Sequence, residues 1–168
     1  FTLPSSVSAL TCDVNDLDPT ADACDGQFAG NDNAAALNAK KLFGYDDWQF
    51  LQKKDIGGGL DTNIDVGLSV TSTGKSGTWS VTSNLSEFWL SIAVVLKGGP
   101  SWVGYLYEPP INGGEWTTAG LLNGGGRQPD LSHFSLYART VPEPATMLLL
   151  GAGLVGLAGF GRKKFFKK

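Results

Sequence analysis

The chain has 168 residues, with 13 Lys and Arg against 16 Asp and Glu. This length suits one domain with a real hydrophobic core and an appended segment, rather than two domains. Five basic residues fall in the last seven positions, so residues 1–141 carry 8 basic and 15 acidic side chains, a net charge of −7. Because nucleic-acid binding depends on clustered Lys and Arg, this charge excludes nucleic acid as an expected partner.

The first residues agree with export. Val7-Ser8-Ala9 has the small-x-small form of a signal peptidase site. We interpret residues 1–9 either as the remainder of a signal peptide or as a disordered N-terminus, and ordinary loop residues would have a similar composition. The folded domain is expected over residues 10–140.

Cys12 and Cys24 are the only two cysteines, and no histidine lies near them in the sequence. The pair lacks the four ligands that a structural zinc site needs. We therefore predict a disulfide, which would persist in an oxidising compartment such as the periplasm or the cell exterior. Two unpaired buried thiols are the alternative.

The segment around these cysteines is rich in oxygen ligands of the kind that calcium prefers. The candidate ligands are Asp13, Asn15, Asp16, Asp18, Asp22 and Asp25. The spacing departs from the EF-hand pattern, since Leu17 occupies a ligand position and no Glu closes the loop. A solvated acidic loop is the favoured interpretation and a calcium site the alternative; no other cofactor is expected.

The body has the pattern of an all-β protein, with closely spaced Gly and Pro turn signals between short β-branched and aromatic runs. One helix is predicted over Ala34–Phe43, with Asn33 as N-cap and Gly44 as C-cap. Strands are predicted over residues 65–72, 78–82, 88–96, 102–107, 114–118 and 131–138. The apolar run 88–96 suits a strand buried on both faces. These strands predict a two-sheet β-sandwich or jelly roll, followed by a single C-terminal apolar helix.

The body gives little indication of catalysis. His133 is the single histidine, and no nucleophile elbow surrounds any serine, so we expect no enzyme activity. Aromatic residues support a different hypothesis, a carbohydrate platform in which flat rings face sugar rings. Its candidate residues are Trp102, Tyr105, Tyr107 and Trp116. Core packing is the alternative role of these rings.

The C-terminal segment 141–168 has three parts: a Pro-Glu-Pro triplet, an apolar span over 145–161 and a basic cluster over 162–168. As a helix the 17-residue span would measure about 25 Å, slightly short of a hydrocarbon core of about 30 Å. Ala145, Leu149, Gly153, Leu157 and Gly161 mark this predicted membrane span. The basic residues, expected to stay cytoplasmic, are Arg162, Lys163, Lys164, Lys167 and Lys168. The prolines predict an extended segment outside the membrane.

The triplet Pro142-Glu143-Pro144, followed in order by that span and cluster, resembles the PEP-CTERM sorting signal. The body is also similar, over residues 86–92, 96–99, 105–107 and 131–137, to the ectodomain often found ahead of such signals. The resemblance implies Sec export, a transient stop in the inner membrane of a Gram-negative bacterium and cleavage near the triplet by exosortase. It implies no catalytic residues. A permanent membrane anchor or a buried apolar hairpin is the alternative for this segment.

These patterns lead to two hypotheses for function. The first is a non-enzymatic exported protein that exosortase sorts to the cell surface or to an extracellular polysaccharide matrix, where it could self-assemble. The second is a secreted lectin-like module that binds the exopolysaccharide.

Overall fold

The computed structural model describes residues 12–140 and 150–157. Ten strands run through the first of these ranges, in chain order: β1 Leu17–Asp18, β2 Ala23–Ala29, β3 Gln49–Asp55, β4 Leu60–Thr62, β5 Ser69–Val70, β6 Ser76–Ser80, β7 Trp89–Gly98, β8 Ser101–Tyr107, β9 Gly113–Thr117 and β10 His133–Thr140. One sheet has the order β1-β9-β6-β5 and the other β2-β8-β7-β10-β3-β4. All pairs are antiparallel, and the predicted two-sheet sandwich is confirmed.

The main core lies between the two sheets. Alternate residues of the long strands face it, because successive side chains of a strand point to opposite faces. Its buried members include Leu51, Ile92, Val94, Leu96, Val103, Tyr105, Phe134 and Leu136 from the six-stranded sheet, and Leu17, Trp79 and Trp116 from the four-stranded sheet. Burial of each large side chain contributes about 1.5 to 3 kcal/mol, so this cluster dominates the stability of the body.

A second apolar cluster covers the outer face of the six-stranded sheet. Leu37, Leu42 and Trp48 pack there against Ala93 and Val95 of β7 and against further residues of β8 and β10. Strand β7 is therefore buried on both faces, as its continuous apolar sequence predicts.

The predicted helix is confirmed in part. Helix α1 spans Ala34–Lys40, and the Asn33 side chain accepts a hydrogen bond from the backbone N–H of Ala36, as an N-cap does. The predicted C-cap is wrong. Lys41, with a φ of 51°, ends the helix in the left-handed conformation, and Gly44 instead ends a short 3-10 turn over Leu42–Gly44. A second helix, α2, spans Leu85–Phe88.

Five of the six predicted strands are found at nearly the predicted positions, but the strand predicted over 65–72 is mostly wrong. Only Ser69–Val70 pairs with a neighbour. The backbone N–H groups of Val66 and Leu68 both donate to the side-chain oxygen of Gln52, at 3.0 Å each. A buried glutamine side chain thus replaces a neighbouring strand as the acceptor for this segment.

Strands β1 to β4 lie where the sequence predicts none. The acidic segment is accordingly not a simple loop: a 3-10 turn over Val14–Asp16 leads into β1, and Cys24 and Asp25 belong to β2. This N-terminal part supplies an edge strand to each sheet.

Candidate functional site

The segment that resembles a sorting signal follows directly on strand β10. β10 lies between β7 and β3, and its last residue, Thr140, pairs with Trp89 of β7. Only Val141 separates this paired residue from Pro142. Most predicted residues of the tail lie outside the described residues: Pro142, Glu143, Pro144, Ala145, Leu149, Gly161, Arg162, Lys163, Lys164, Lys167 and Lys168.

The described part of the predicted membrane span is residues 150–157, which are helical and include Gly153 and Leu157. All of these residues are exposed; Leu157 retains 72% of its accessible surface. Over the two described ranges, no helix combines the length and the apolar character needed to cross a membrane.

The end of β10 is held by Arg139. Its Nε atom lies 2.6 Å from Oδ1 of Asp47, and its guanidinium carbon lies 3.4 Å from the ring centroid of Tyr45. The Tyr45 hydroxyl in turn donates to Glu108, at 3.3 Å. An ion pair and a cation–π contact therefore fix the strand one residue before its last pairing.

At the opposite end of β10, a buried carboxylate joins two side chains of that strand. Asp32 has no exposed side-chain surface. Its Oδ1 lies 2.5 Å from Nε2 of His133, and its Oδ2 accepts from the Tyr137 hydroxyl at 2.8 Å. The other ring nitrogen of His133 lies 3.7 Å from Asp55 of β3. The histidine therefore bridges two carboxylates.

This cluster has a definite electrostatic effect on Asp32. Burial by itself raises the pKa of a carboxyl group, but the hydrogen bond and positive charge of His133, together with the Tyr137 hydroxyl, outweigh it and hold the pKa of Asp32 below 3.8. Burial and the neighbouring Asp32 charge raise the pKa of Tyr137. At neutral pH the pair is thus an ionised carboxylate and a protonated phenol.

The same cluster borders a cleft of about 260 Å³ on the outer face of the six-stranded sheet. Tyr137 and its register partner Phe50 line the cleft from the sheet. The loop before α1 and the β3–β4 pair complete its walls. Its lining combines polar and apolar side chains from three strands, from the start of α1 and from the loop before it.

The predicted disulfide is confirmed: Cys12 and Cys24 are bonded, with Cα atoms 6.0 Å apart. Beside it, Asp16 accepts the hydroxyl of Tyr105 at 2.8 Å and the backbone N–H of Asp13 at 3.2 Å. Burial and the Asp16 charge raise the pKa of Tyr105. The tether and this pair hold the N-terminal segment against the core.

The structure gives the calcium hypothesis no ligand set. Residues 12–140 and 150–157 contain no group of three or more His, Cys, Asp and Glu side chains that could hold a metal ion. Asp13 caps the first 3-10 turn through the backbone N–H of Asn15, Asp16 is bonded to Tyr105, and Asp22 accepts from the backbone of Glu108. Asp18 pairs with Glu115 in the β1–β9 register, while Asp25 is exposed on β2.

The predicted carbohydrate platform is wrong at all four residues. Trp102, Tyr105, Tyr107 and Trp116 are 0 to 3% exposed, so none presents a ring face to solvent. Tyr105, Tyr107 and Trp116 belong to the core between the sheets, and Trp102 to the outer cluster. These four rings pack in the apolar clusters, which is the alternative role that the sequence analysis gave them.

Sequence reasoning missed Asp32. It lies 101 positions from His133, in a polar loop next to a short helix, and nothing local distinguishes it from a solvated loop aspartate. The alternation of His133, Ser135 and Tyr137 on one face of β10 was the one available signal, since it puts polar side chains on a buried strand face.

Comparison with known proteins bears on the tail. The family model of the PEP-CTERM protein-sorting motif matches residues 140–163, which covers the triplet, the apolar span and the first basic residues. Neither the curated proteins nor the solved structures gave a significant match. The matched region begins at the last residue of β10, so the folded body and the motif are contiguous. The chain is therefore a protein that carries a PEP-CTERM sorting motif.

Proposed function

We propose that the protein is an exported, non-enzymatic component of the cell surface or the extracellular matrix of a Gram-negative bacterium, delivered there through exosortase. The sorting motif at residues 140–163 carries the proposal, because such a motif implies export, transient passage through the membrane and processing by exosortase. The disulfide in the body agrees with an oxidising destination.

A structural rather than a catalytic role is supported by the use of the body's polar residues. Both ring nitrogens of the single histidine face carboxylates, and the large aromatic residues fill the two apolar clusters. Self-assembly is supported by the exposed edge strand β4, where Leu60 retains 44% of its accessible surface. Edge strands have unpaired backbone groups that can pair with another chain. We propose that the matrix around the exported protein is extracellular polysaccharide. The lectin-like alternative loses the four rings on which it depended.

The test is the intact mass of the protein recovered from cells and from medium, with sequencing of its C-terminal peptide. We expect the mature product to end near Glu143 or Pro144. A variant with Pro142→Ala and Pro144→Ala should retain the tail and remain in the membrane fraction. The matched control is Pro100→Ala, which changes an exposed proline in the body. Extracellular protein that still carries Lys168 would contradict processing.

A further inference from the structure

The cleft beside Asp32 has an apolar side formed by the sheet. Phe50 of β3 and Tyr137 of β10 are register partners, with ring centroids 5.6 Å apart. Tyr137 is buried, whereas Phe50 is half-buried and lines the cleft. The ring of Phe50 therefore offers a flat apolar surface to a molecule in the cleft.

The charged groups of the cleft already have hydrogen-bonding or ionic partners. Asp32 is bonded to His133 and Tyr137, as described above. Across the cleft, Nζ of Lys53 lies 2.9 Å from Oδ2 of Asp61. An ion of either sign would have to compete with these pairs after losing its own hydration, which is costly. The cleft therefore favours an uncharged ligand.

The rim still has groups that can bond to hydroxyls. Asp61 has 64% of its side-chain surface exposed and can accept further hydrogen bonds, and Lys53 has three donors. Asn33 uses its side-chain oxygen to cap α1, which leaves its amide nitrogen to donate. A ligand with several hydroxyl groups around its edge would meet donors and acceptors on two sides of the cleft.

The volume of the cleft limits the size of the ligand. Sites for drug-sized molecules are typically about 300 to 1,000 Å³. At about 260 Å³ this cleft suits a single ring of six atoms with its substituents. A single sugar ring is uncharged, has an apolar face and a hydroxylated edge, and is of this size.

We propose that this cleft binds one neutral sugar ring, with the apolar face of the sugar on Phe50 and its hydroxyls on Asp61, Lys53 and Asn33. The proposal goes beyond sorting and surface location, because it depends only on residues of the body. It also involves none of the four buried rings.

The experiment is an NMR titration of the full chain in a detergent without a sugar headgroup. The probes are glucose, galactose, mannose and N-acetylglucosamine, each at about 20 mM, well above the roughly millimolar Kd that a single ring with a few hydrogen bonds supports. Amide shifts should map to residues 32–34, 50–53 and 61. Glucuronate, glucosamine and the linear polyol sorbitol test the charge and the ring.

Two variants and one control locate the site. Asp61→Ala should weaken binding about fivefold through loss of one hydrogen bond, and Phe50→Leu should weaken it more because the flat surface is lost. Asp46→Ala, at an exposed aspartate outside the cleft, should leave binding unchanged. Unfolding midpoints of all three verify that they fold.

The outcomes are distinct. Shifts confined to the cleft by at least one neutral sugar, reduced by Asp61→Ala, support the proposal. Four results would overturn it. They are the absence of shifts with every neutral sugar, binding of sorbitol as tight as that of the sugars, binding of the charged sugars alone, and shifts that map outside the cleft. None of these results depends on whether the tail is processed in cells. Failure of the sugar-binding proposal therefore leaves the sorting proposal intact, and failure of the sorting proposal leaves the sugar-binding proposal intact.

Discussion

Two buried aspartates accept a hydrogen bond from a buried tyrosine at the same distance, 2.8 Å, but in different surroundings. Asp16 and Tyr105, the N-terminal pair, lie beside the disulfide, and the further donor to Asp16 is a backbone N–H. Asp32 and Tyr137, the cleft pair, have His133 as their further partner. The comparison shows that the same pairing serves two purposes: one fixes a chain segment, and the other builds a cleft wall with a titratable neighbour.

Removing the disulfide and removing the Asp32 carboxylate should have the largest effects, and loss of the disulfide should act on the N-terminal pair alone. The bonded cysteines are 12 positions apart. In the loop-entropy model, replacing both by serine lowers the free energy of unfolding by about 3 kcal/mol. Urea denaturation measures this loss. The NMR signals of the His133 ring should stay unchanged; their displacement would mean that the two pairs are coupled.

Asp32→Ala should cost more than Asp16→Ala. The first leaves a tyrosine hydroxyl and a histidine without their acceptor, whereas the second leaves one tyrosine hydroxyl and a backbone N–H near the surface. We expect losses of about 3 and about 2 kcal/mol in the free energy of unfolding. Chemical denaturation of the two variants gives both values. Equal losses in the two variants would mean that the bond between Asp32 and His133 adds nothing to stability.

Tyr105→Phe and Tyr137→Phe should have smaller and similar effects. Each removes one hydroxyl that donates to an aspartate side chain and leaves the ring in place, which costs about 1.5 kcal/mol. Thermal unfolding of the two variants compares them directly. A much larger loss for Tyr137→Phe would show that its hydroxyl, rather than His133, keeps Asp32 in position.

The smallest expected effect is on the pH dependence of stability in acid, and it should depend on the cleft pair. The pKa of Asp32 is lower in the folded protein than in the unfolded chain. The ionised Asp32 therefore stabilises the fold fully above about pH 3.8, and this contribution is lost as the pH falls through the folded-state pKa. Unfolding free energies measured from about pH 5 to about pH 2 should therefore fall less steeply in Asp32→Asn than in the wild type. Parallel curves for the two proteins would contradict this assignment.

The sequence predicts features that depend on neighbouring residues. The Asn33 cap, the β7 run buried on both faces and the Cys12–Cys24 bond all follow from local pattern or from elimination, and all are present. The sorting tail is also a linear pattern, which explains why it is recognised without any structure.

What the sequence does not predict depends on contacts between distant residues. The acceptor of Val66 and Leu68 is a side chain on β3, and the partner of His133 lies 101 positions away. The aromatic residues illustrate the same limit, because composition alone does not decide whether a tryptophan faces solvent or the core. Sheet pairing decides it, and Trp102 and Trp116 are buried.

The position of β10 also determines how the body would bear mechanical load. A protein held through residues that follow Thr140 is pulled along the axis of a strand hydrogen-bonded on both sides, to β7 and to β3. Such a force loads both rows of backbone hydrogen bonds in shear, so many must break together, whereas a strand peeled from an edge loses them one at a time. Attachment at this end directs tension into the middle of the six-stranded sheet, where the barrier to forced unfolding sets the lifetime of the fold.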